Sequence, residues 1–188
     1  MTKLAKLNRC DWCLTNSLYI NYHDNEWGKA CFDDQELFEK LSLECFQSGL
    51  NWLTILKKRN NFRVAFDLFD IQKIANYDSA KVEDLLHNKG IVRHRGKIEA
   101  TINNARACLL IKAEYKSLSH YFWSYVNHQP IVNDVPNIKT IPSPSQLSKR
   151  ISKDLKVRGF KFLGPTTVYA FLQSCGIIND HLNACFKK

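Results

Sequence analysis

Apolar residues recur at helical spacing along almost the whole 188-residue chain. In the stretch "DDQELFEKLSLECF" they form one stripe, which is the pattern of a helix with a single buried face: Leu37, Phe38, Leu41 and Phe46. Asp33 and Asp34 precede this stripe, and aspartate commonly caps the start of a helix. Alternating strand patterns are scarce, and four of the five prolines lie in one loop, residues 128–148. The sequence therefore predicts an all-α protein.

Glycine, serine and proline mark the boundaries of several predicted helices. A break at Gly49 separates two helical patterns, and Ser79 is the candidate cap of "AKVEDLLHN". Pro165 stands at the first position of a later helix and Gly176 at its end, an asymmetry typical of helices. A chain of this length can bury a core without disulfides or metals, as one large domain or two small lobes. We predict a single domain over residues 1–188.

The charge balance points to an anionic partner. Lysine and arginine number 27 against 18 acidic residues, for a net charge of +9. Nucleic acid is the first candidate for such a partner, and an anionic membrane surface is the second. No apolar run has the length of a signal peptide core or a membrane span. The seven cysteines are an odd number, and we expect reduced thiols in a cytoplasmic protein, some of them metal-bound.

One cluster of basic residues lies in a turn bracketed by glycines, "KGIVRHRGK". The turn contains Gly90, Arg93, Arg95 and Lys97 and connects two predicted helices. A tight turn of this kind can direct backbone N–H groups and guanidinium groups outward together, which suits a phosphate. An ordinary charged turn explains the same residues equally well. Two further basic clusters, residues 57–59 and 149–161, are typical of a solvated helix face.

Soft metal ligands occur near both ends of the chain. His181 and Cys185 would share one face of a helix, while Cys10, Cys13 and His23 lie near the start. The Cys10–Cys13 pair is compatible with a zinc half-site or a redox pair. Structural zinc needs four ligands, so residues from both ends could close one site. Alternatively, His181 caps a turn and the cysteines fill space as small hydrophobic residues.

The segment "LECFQSGLNWLTILKKR" places a carboxylate and an indole around a backbone break. Glu44 interrupts an apolar pattern, where an unpaired carboxylate is costly to bury, and Trp52 follows the break. A carboxylate among stacked aromatic rings suits a flat, cationic ring as ligand. A salt-bridged glutamate beside core aromatics is the alternative interpretation.

Several motifs together resemble the bacterial DNA-3-methyladenine glycosylase I family. They are "YHDNEWG", "LECFQSGLNWLTILKKR", "GIVRHRGKIEATINNARA", "YVNHQP", "RGFKFLGPTT" and "NDHLNAC", in this order from about residue 10 to residue 185. The resemblance implies a two-lobed, helical member of the helix-hairpin-helix glycosylases. It also implies one structural zinc ion that joins the two ends of the chain through four ligands: Cys10, His23, His181 and Cys185. Cys13 falls outside the family pattern.

The same resemblance implies a DNA repair enzyme. Such an enzyme flips 3-methyladenine out of alkylated double-stranded DNA and removes it by hydrolysis, releasing the free base without cutting the strand. The implied catalytic carboxylate is Glu44, and the implied base-binding residues are Tyr22, Trp52, Tyr19 and Trp12. The expected DNA contacts are Arg93, Arg95, Lys97, Gly90 and Leu50. We expect a monomer that has no contact with a membrane.

The chain departs from the family pattern beside the expected catalytic carboxylate, chiefly at Cys45 and with further local variations at Phe46, Ser48 and Asn51. Cys45 stands where the family has a small residue, so the exact pocket shape is open. A zinc-stabilised DNA-binding module that has lost its activity is therefore the second hypothesis. Glu44 and Trp52 favour the enzyme, because a binding module has no need for a carboxylate beside an aromatic pocket.

Overall fold

The computed structural model describes residues 7–188. Residues 1–6, which the single-domain prediction includes, lie outside the described residues. Within residues 7–188 the chain forms nine α-helices: α1 (Ser17–Asn25), α2 (Asp34–Gln47), α3 (Trp52–Ala65), α4 (Ile71–Ala75), α5 (Ser79–His87), α6 (Arg95–Tyr115), α7 (Leu118–Ser124), α8 (Gln146–Val157) and α9 (Pro165–Ser174). Two strands of two residues each, β1 (Ile131–Val132) and β2 (Ile178–Asn179), pair in parallel. Short 3₁₀ turns occupy Asp11–Cys13, Asp67–Phe69 and Ile138–Thr140. The all-α prediction is confirmed.

The helix boundaries follow the local chemistry with one correction. The Asp33 side chain accepts a hydrogen bond from the Glu36 N–H at 2.8 Å and caps α2, as predicted. Pro165 is the first residue of α9, and Gly176 beyond its end adopts a φ of +71°. The cap of α5 is Asp78, which accepts from the Lys81 N–H at 2.9 Å, so the assignment to Ser79 was wrong by one residue. Both residue types cap helices, and sequence alone did not separate the neighbours.

Helix α2 lies at the centre of the fold. It packs against α3, α6, α7 and α9, and residues 41–46 of it are all buried. The aromatic side chains around it include Phe46, Phe62 and Phe66, each fully buried. Because α2 is enclosed on several sides, a polar residue in its last turns projects either into the core or into an internal pocket. Among residues 7–188, no helix combines the length and apolar character that a membrane crossing requires.

The C-terminal segment corrects the expectation that His181 and Cys185 share a helix face. Residues 180–188 form turns after β2 and contain no α-helix. A turn closed by the Cys185 N–H and the Leu182 carbonyl still brings the two side chains together. The Phe186 N–H donates to the Asn8 carbonyl at 3.0 Å, which joins the two ends of the described chain.

Candidate active site and metal centre

Four soft ligands converge where the two ends of the chain meet. One atom from each of Cys10, His23, His181 and Cys185 lies within 4.8 Å of the other three, and all four residues are buried. The measured separations are 3.7 Å from Cys10 Sγ to His181 Nδ1, 3.4 Å from Cys185 Sγ to His23 Nε2, and 3.6 Å from Cys185 Sγ to His181 Nδ1. Sulfur and nitrogen ligands around one tetrahedral zinc ion would lie roughly 3.5 Å apart. This group fits a metal ion of that geometry.

The surrounding hydrogen bonds direct the correct nitrogen of each histidine toward the centre of this group. His23 Nδ1 lies 2.8 Å from the Asp24 carboxylate, and His181 Nε2 lies 3.2 Å from the Trp27 carbonyl. Each partner is an acceptor, so each of these nitrogens carries the proton and the other nitrogen is free for a metal. Burial and the neighbouring His23 lower the pKa of His181 to about 4, which keeps its ring neutral.

The two cysteine sulfurs of the group accept hydrogen bonds from the backbone. The Leu182 N–H donates to Cys10 Sγ at 3.3 Å, and the Lys187 N–H donates to Cys185 Sγ at 3.4 Å. Such bonds stabilise thiolates. Cys13 does not join the group; its thiol donates to the Cys10 carbonyl at 3.1 Å. All seven cysteines are free, so Cys10 and Cys13 do not form a disulfide.

A cavity of about 410 Å³ lies beside this group. Its walls come from distant parts of the chain: Trp12, Tyr22, Trp27, Glu44, Gln47, Trp52, Ile138, Ile141, Ser143, Ala170 and Gln173. The lining is mostly aromatic and apolar with a few polar groups, as in binding sites for small flat ligands.

Glu44 brings an acidic group into this cavity. The residue is 5% exposed, and among residues 7–188 no side chain or backbone group hydrogen-bonds to its carboxylate. Burial raises the pKa of Glu44 to about 8, and the more distant Lys40 only partly offsets this effect. The salt-bridged alternative therefore does not describe Glu44. A carboxylate left without a protein partner at a cavity wall can interact with a ligand.

Aromatic rings surround Glu44 at contact distance from one another. The rings of Tyr22 and Trp52 lie 5.4 Å apart, and those of Trp12 and Trp27 lie 5.1 Å apart. The Trp52 Nε1–H is buried without a hydrogen-bond acceptor in the described part of the chain. Such rings can stack on a flat ligand, and their faces attract a positive charge.

Tyr19 lies outside the cavity lining. Its hydroxyl donates to Asn51 Oδ1 at 2.8 Å and accepts from the Leu53 N–H at 3.0 Å. It therefore links α1 to the start of α3, so it is placed to position Trp52 rather than to contact a ligand in this cavity.

Other lining residues were missed by the sequence reasoning. Gln47 lies one turn after Glu44 on α2, and this spacing could have identified it. Trp27 stands in the motif "YHDNEWG", but the sequence alone indicated no role for it in a cavity. Ile138 and Gln173 had no local signal, because they belong to the long loop and to α9.

The predicted phosphate-binding turn connects α5 and α6. Arg93 is exposed, while Arg95 is half-exposed and forms ion pairs with Glu83 at 2.6 Å and Glu99 at 3.6 Å. A Cβ at Gly90 would lie 2.9 Å from Asn88 Oδ1 and 3.0 Å from the Asn61 side chain, so a larger residue would crowd both neighbours. Lys97 differs from the other basic residues, since it is only 6% exposed.

A second turn, residues 158–164 between α8 and α9, lies against the first. The ring of Phe162 in the second turn lies 6.1 Å from the ring of His94 in the first. Asn104 of α6 holds the backbone of Lys161 by two hydrogen bonds of 2.8 and 3.0 Å. Two basic turns thus share one surface region.

The helical fold, the aromatic cavity with its acidic group and the nearby basic surface are the features of a class of protein suited to a flat, positively charged ring. Residues 12–188 match the methyladenine glycosylase family. The chain is 50% identical over 177 residues to a DNA-3-methyladenine glycosylase of Haemophilus influenzae, covering 94% of this chain and 96% of that protein. It is 47% identical over 179 residues to DNA-3-methyladenine glycosylase 1 of Escherichia coli, covering 95% and 96%.

Solved structures agree with the sequence relatives. A structure that gives the basis of 3-methyladenine recognition by 3-methyladenine DNA glycosylase I from Staphylococcus aureus superposes with a TM-score of 0.93 at 39% identity. The superposition covers 97% of each chain. The chain belongs to the methyladenine glycosylase family.

Proposed function

We propose that this protein excises 3-methyladenine from alkylated double-stranded DNA and releases the free base. The observation that carries the proposal is the buried Glu44 carboxylate, which faces an aromatic cavity and has no hydrogen-bond partner in the described part of the chain. Relatives that are named for this reaction cover almost the whole chain. The protein is accordingly a DNA repair enzyme of the glycosylase type, a hydrolase of N-glycosidic bonds.

The chemistry of the damaged base matches these residues. Methylation at N3 gives adenine a positive charge, which weakens the bond between the base and the sugar. When that bond breaks, the bonding electrons go to the base, which leaves as a neutral ring, and water adds to the sugar carbon and loses a proton. The protein must hold the flipped base and admit water. Stacking on Tyr22, Trp52 and Trp12 and the charge of Glu44 favour the cationic base over an ordinary purine.

A hydrolytic reaction without strand cleavage also fits the cavity lining. Strand cleavage by this class of enzyme requires an amine nucleophile that forms a Schiff base. No lysine is present among the described residues that line the cavity. Water is therefore the proposed nucleophile, and Glu44 is the proposed catalytic residue.

We further propose that the metal is zinc with a structural role. Two cysteines and two histidines are a common ligand set for structural zinc, and four protein ligands leave no open position for a substrate. The ion would join the two ends of the chain and support Trp12 and Trp27. We also propose that the chain acts as one domain, as a monomer and in the cytoplasm, where its DNA substrate would be found.

The proposed DNA interface is the surface formed by the two adjacent basic turns. Helices α8 and α9 pack side by side, and the turn between them makes the pair a candidate helix-hairpin-helix element. The start of α9 has no side-chain cap, so its backbone N–H groups are available to a phosphate. We propose that Arg93 and Arg95 of the neighbouring turn add charge, and that Leu50, 40% exposed beside the cavity, fills the space left by the flipped base.

One assay tests the proposed function against the binding-module hypothesis. Purified protein is incubated with methylated duplex DNA, and released bases are separated and quantified. Release of free 3-methyladenine with intact strands is the expected result. Tight duplex binding with no released base would instead identify an inactive DNA-binding module.

A further inference from the structure

Lys97 carries a charge that the proposed DNA contacts do not use. It lies in the first turn of α6 and is 6% exposed. Its Nζ donates to the Phe46 carbonyl at 2.8 Å and to the Ser48 carbonyl at 2.6 Å. Within residues 7–188 it forms no ion pair with a carboxylate, and burial lowers its pKa. The ammonium group therefore points into the protein, away from any phosphate.

The two carbonyls belong to the end of α2. The last carbonyls of a helix lack partners within the helix, and they lie at the negative end of its dipole. The buried ammonium group of Lys97 donates hydrogen bonds to these carbonyls and also places a positive charge at the negative end of the dipole. Lys97 therefore stabilises the end of α2 at the point where this helix passes into the loop of residues 48–51.

The same contact holds the loop of residues 48–51. This loop connects Gln47 to Trp52, which both line the cavity, and it exposes Leu50. Gly49 adopts a φ of +79°, and no atom of residues 7–188 lies within 4 Å of where its Cβ would be, so the tip of the loop is open on that side. Hydrogen bonds rather than packing therefore hold the loop in place.

The loop has further hydrogen bonds to α1, α2 and α3, and among residues 7–188 none of these reaches α6. Gln47 Nε2 donates to the Leu50 carbonyl at 2.9 Å, and the Tyr19 hydroxyl donates to Asn51 Oδ1 at 2.8 Å. Lys97 supplies the connection to α6, the helix that begins two residues after the exposed Arg93. The loop that carries Leu50 and the turn proposed to contact DNA phosphates are thus tied together through one side chain.

We infer that Lys97 is a positioning residue for base extrusion, fixing the loop of residues 48–51 relative to the DNA-facing turn at the start of α6. The inference rests on the proposed function. By this account Lys97 contacts neither the base nor the backbone of DNA. It holds Leu50 at the position from which this side chain can fill the space that the flipped base leaves in the duplex.

The test replaces Lys97 by methionine, which keeps the apolar part of the side chain and removes the donor. Two buried carbonyls lose their partner, so single-turnover excision from duplex DNA should slow by about ten- to a hundredfold. Binding of free 3-methyladenine and of undamaged duplex should stay within about twofold, because neither contact passes through Lys97. Lys112→Met is the matched control: Lys112 lies on the same helix, pairs with Asp34 at 3.0 Å, and should excise at the parent rate.

A double-mutant cycle with Leu50→Ala separates positioning from a general loss of structure. If Lys97 acts through Leu50, the double variant should excise about as slowly as the slower single variant. If the factors by which the two single variants slow excision multiply in the double variant, the inference is overturned. Parent-rate excision by Lys97→Met would also overturn it. If Lys97→Met loses affinity for undamaged duplex by the same factor as it loses excision rate, the inference is also overturned, because that result indicates a phosphate contact.

Two further controls keep the test decisive. If Lys97→Met does not fold at the assay temperature, Lys97→Gln takes its place; its side chain is one bond shorter and cannot bring one donor to both carbonyls, so a smaller but still selective slowing of duplex excision is expected. Parent-rate excision by Lys97→Gln then overturns the inference. Failure of the parent protein itself to release base would refute the proposed function instead, so the two failures are distinguishable.

Discussion

Replacing Glu44 by glutamine should make the protein more stable and less active at the same time. The carboxyl group has an ordinary pKa of 4.5, and burial raises it to about 8 in the folded protein. Between these two pH values the unfolded chain releases the proton while the folded chain keeps it. Stability therefore falls as the pH rises through this window, and the loss is complete above the folded pKa.

The size of this effect follows from the two pKa values. A change from 4.5 to about 8 corresponds to roughly 5 kcal/mol of lost stability above pH 8, and to roughly 3 kcal/mol at pH 7, both as upper limits. Glutamine stays neutral at every pH and avoids this cost. Glu44→Gln should therefore exceed the parent in unfolding free energy by a few kcal/mol at pH 8, and by less than about 1 kcal/mol at pH 5.

Urea unfolding of both proteins at the two pH values measures the difference. Glu39→Gln is the matched control on the same helix, because both carboxylate oxygens of Glu39 accept from Arg63 Nε, at 2.9 and 3.0 Å. Removing that partly buried ion pair should lower stability at pH 8 by roughly 1 kcal/mol, the opposite sign. A Glu44→Gln protein less stable than the parent at pH 8 would show that the carboxylate has a stabilising partner.

The excision rate of Glu44→Gln should fall, although its stability rises. A charge-assisted interaction with the cationic base contributes roughly 1.5–3 kcal/mol, so single-turnover excision by Glu44→Gln should fall about ten- to a hundredfold. Affinity for undamaged duplex should barely change, because backbone contacts do not pass through Glu44. If the variant gains stability and still excises at the parent rate, Glu44 does not contact the base.

Three further predictions concern the site and its surroundings. Excision at low DNA concentration should rise with pH up to about 8, where Glu44 of the free protein becomes ionised, and Glu44→Gln should lack this rise. Metal analysis should find one zinc per chain, and His181→Ala should lose most of it and unfold at a lower temperature; full metal retention would contradict the four-ligand site. Arg93→Ala should weaken binding to all duplexes alike and reduce the salt dependence by about one counterion; a loss restricted to one sequence would contradict a backbone contact.

The sequence predicted those features of the fold that depend on neighbouring residues. The apolar stripe from Leu37 to Phe46, the cap at Asp33 and the proline at the start of α9 are local signals, and the structure has a helix at each. The C-terminal pair was placed wrongly on a helix. A spacing of four residues is compatible with a helix or with a turn, and the sequence did not distinguish them.

Contacts between distant segments were less accessible from the sequence. Glu44 was recognisable because a carboxylate in an apolar stripe has few explanations. Lys97 was grouped with the exposed arginines because it occupies the same basic turn, yet its Nζ reaches carbonyls 51 and 49 residues away in the chain. Gln173 reaches the cavity through the packing of α9 on α2. Local sequence patterns do not show which distant residues come into contact, so the roles of Lys97 and Gln173 could be identified only from the structure.

The metal centre and the cavity share a wall, which explains why ligands at the two ends of the chain matter to a site in its middle. The Trp27 carbonyl accepts the hydrogen bond that orients His181, while the Trp27 ring lines the cavity. The next residue, Gly28, leaves room for the imidazole, because a Cβ there would lie 2.8 Å from His181 Nε2. The ring of Trp12 lies 5.5 Å from that of His23 and also lines the cavity. A metal bound by these histidines would therefore fix two of the aromatic rings that are available to stack on a base.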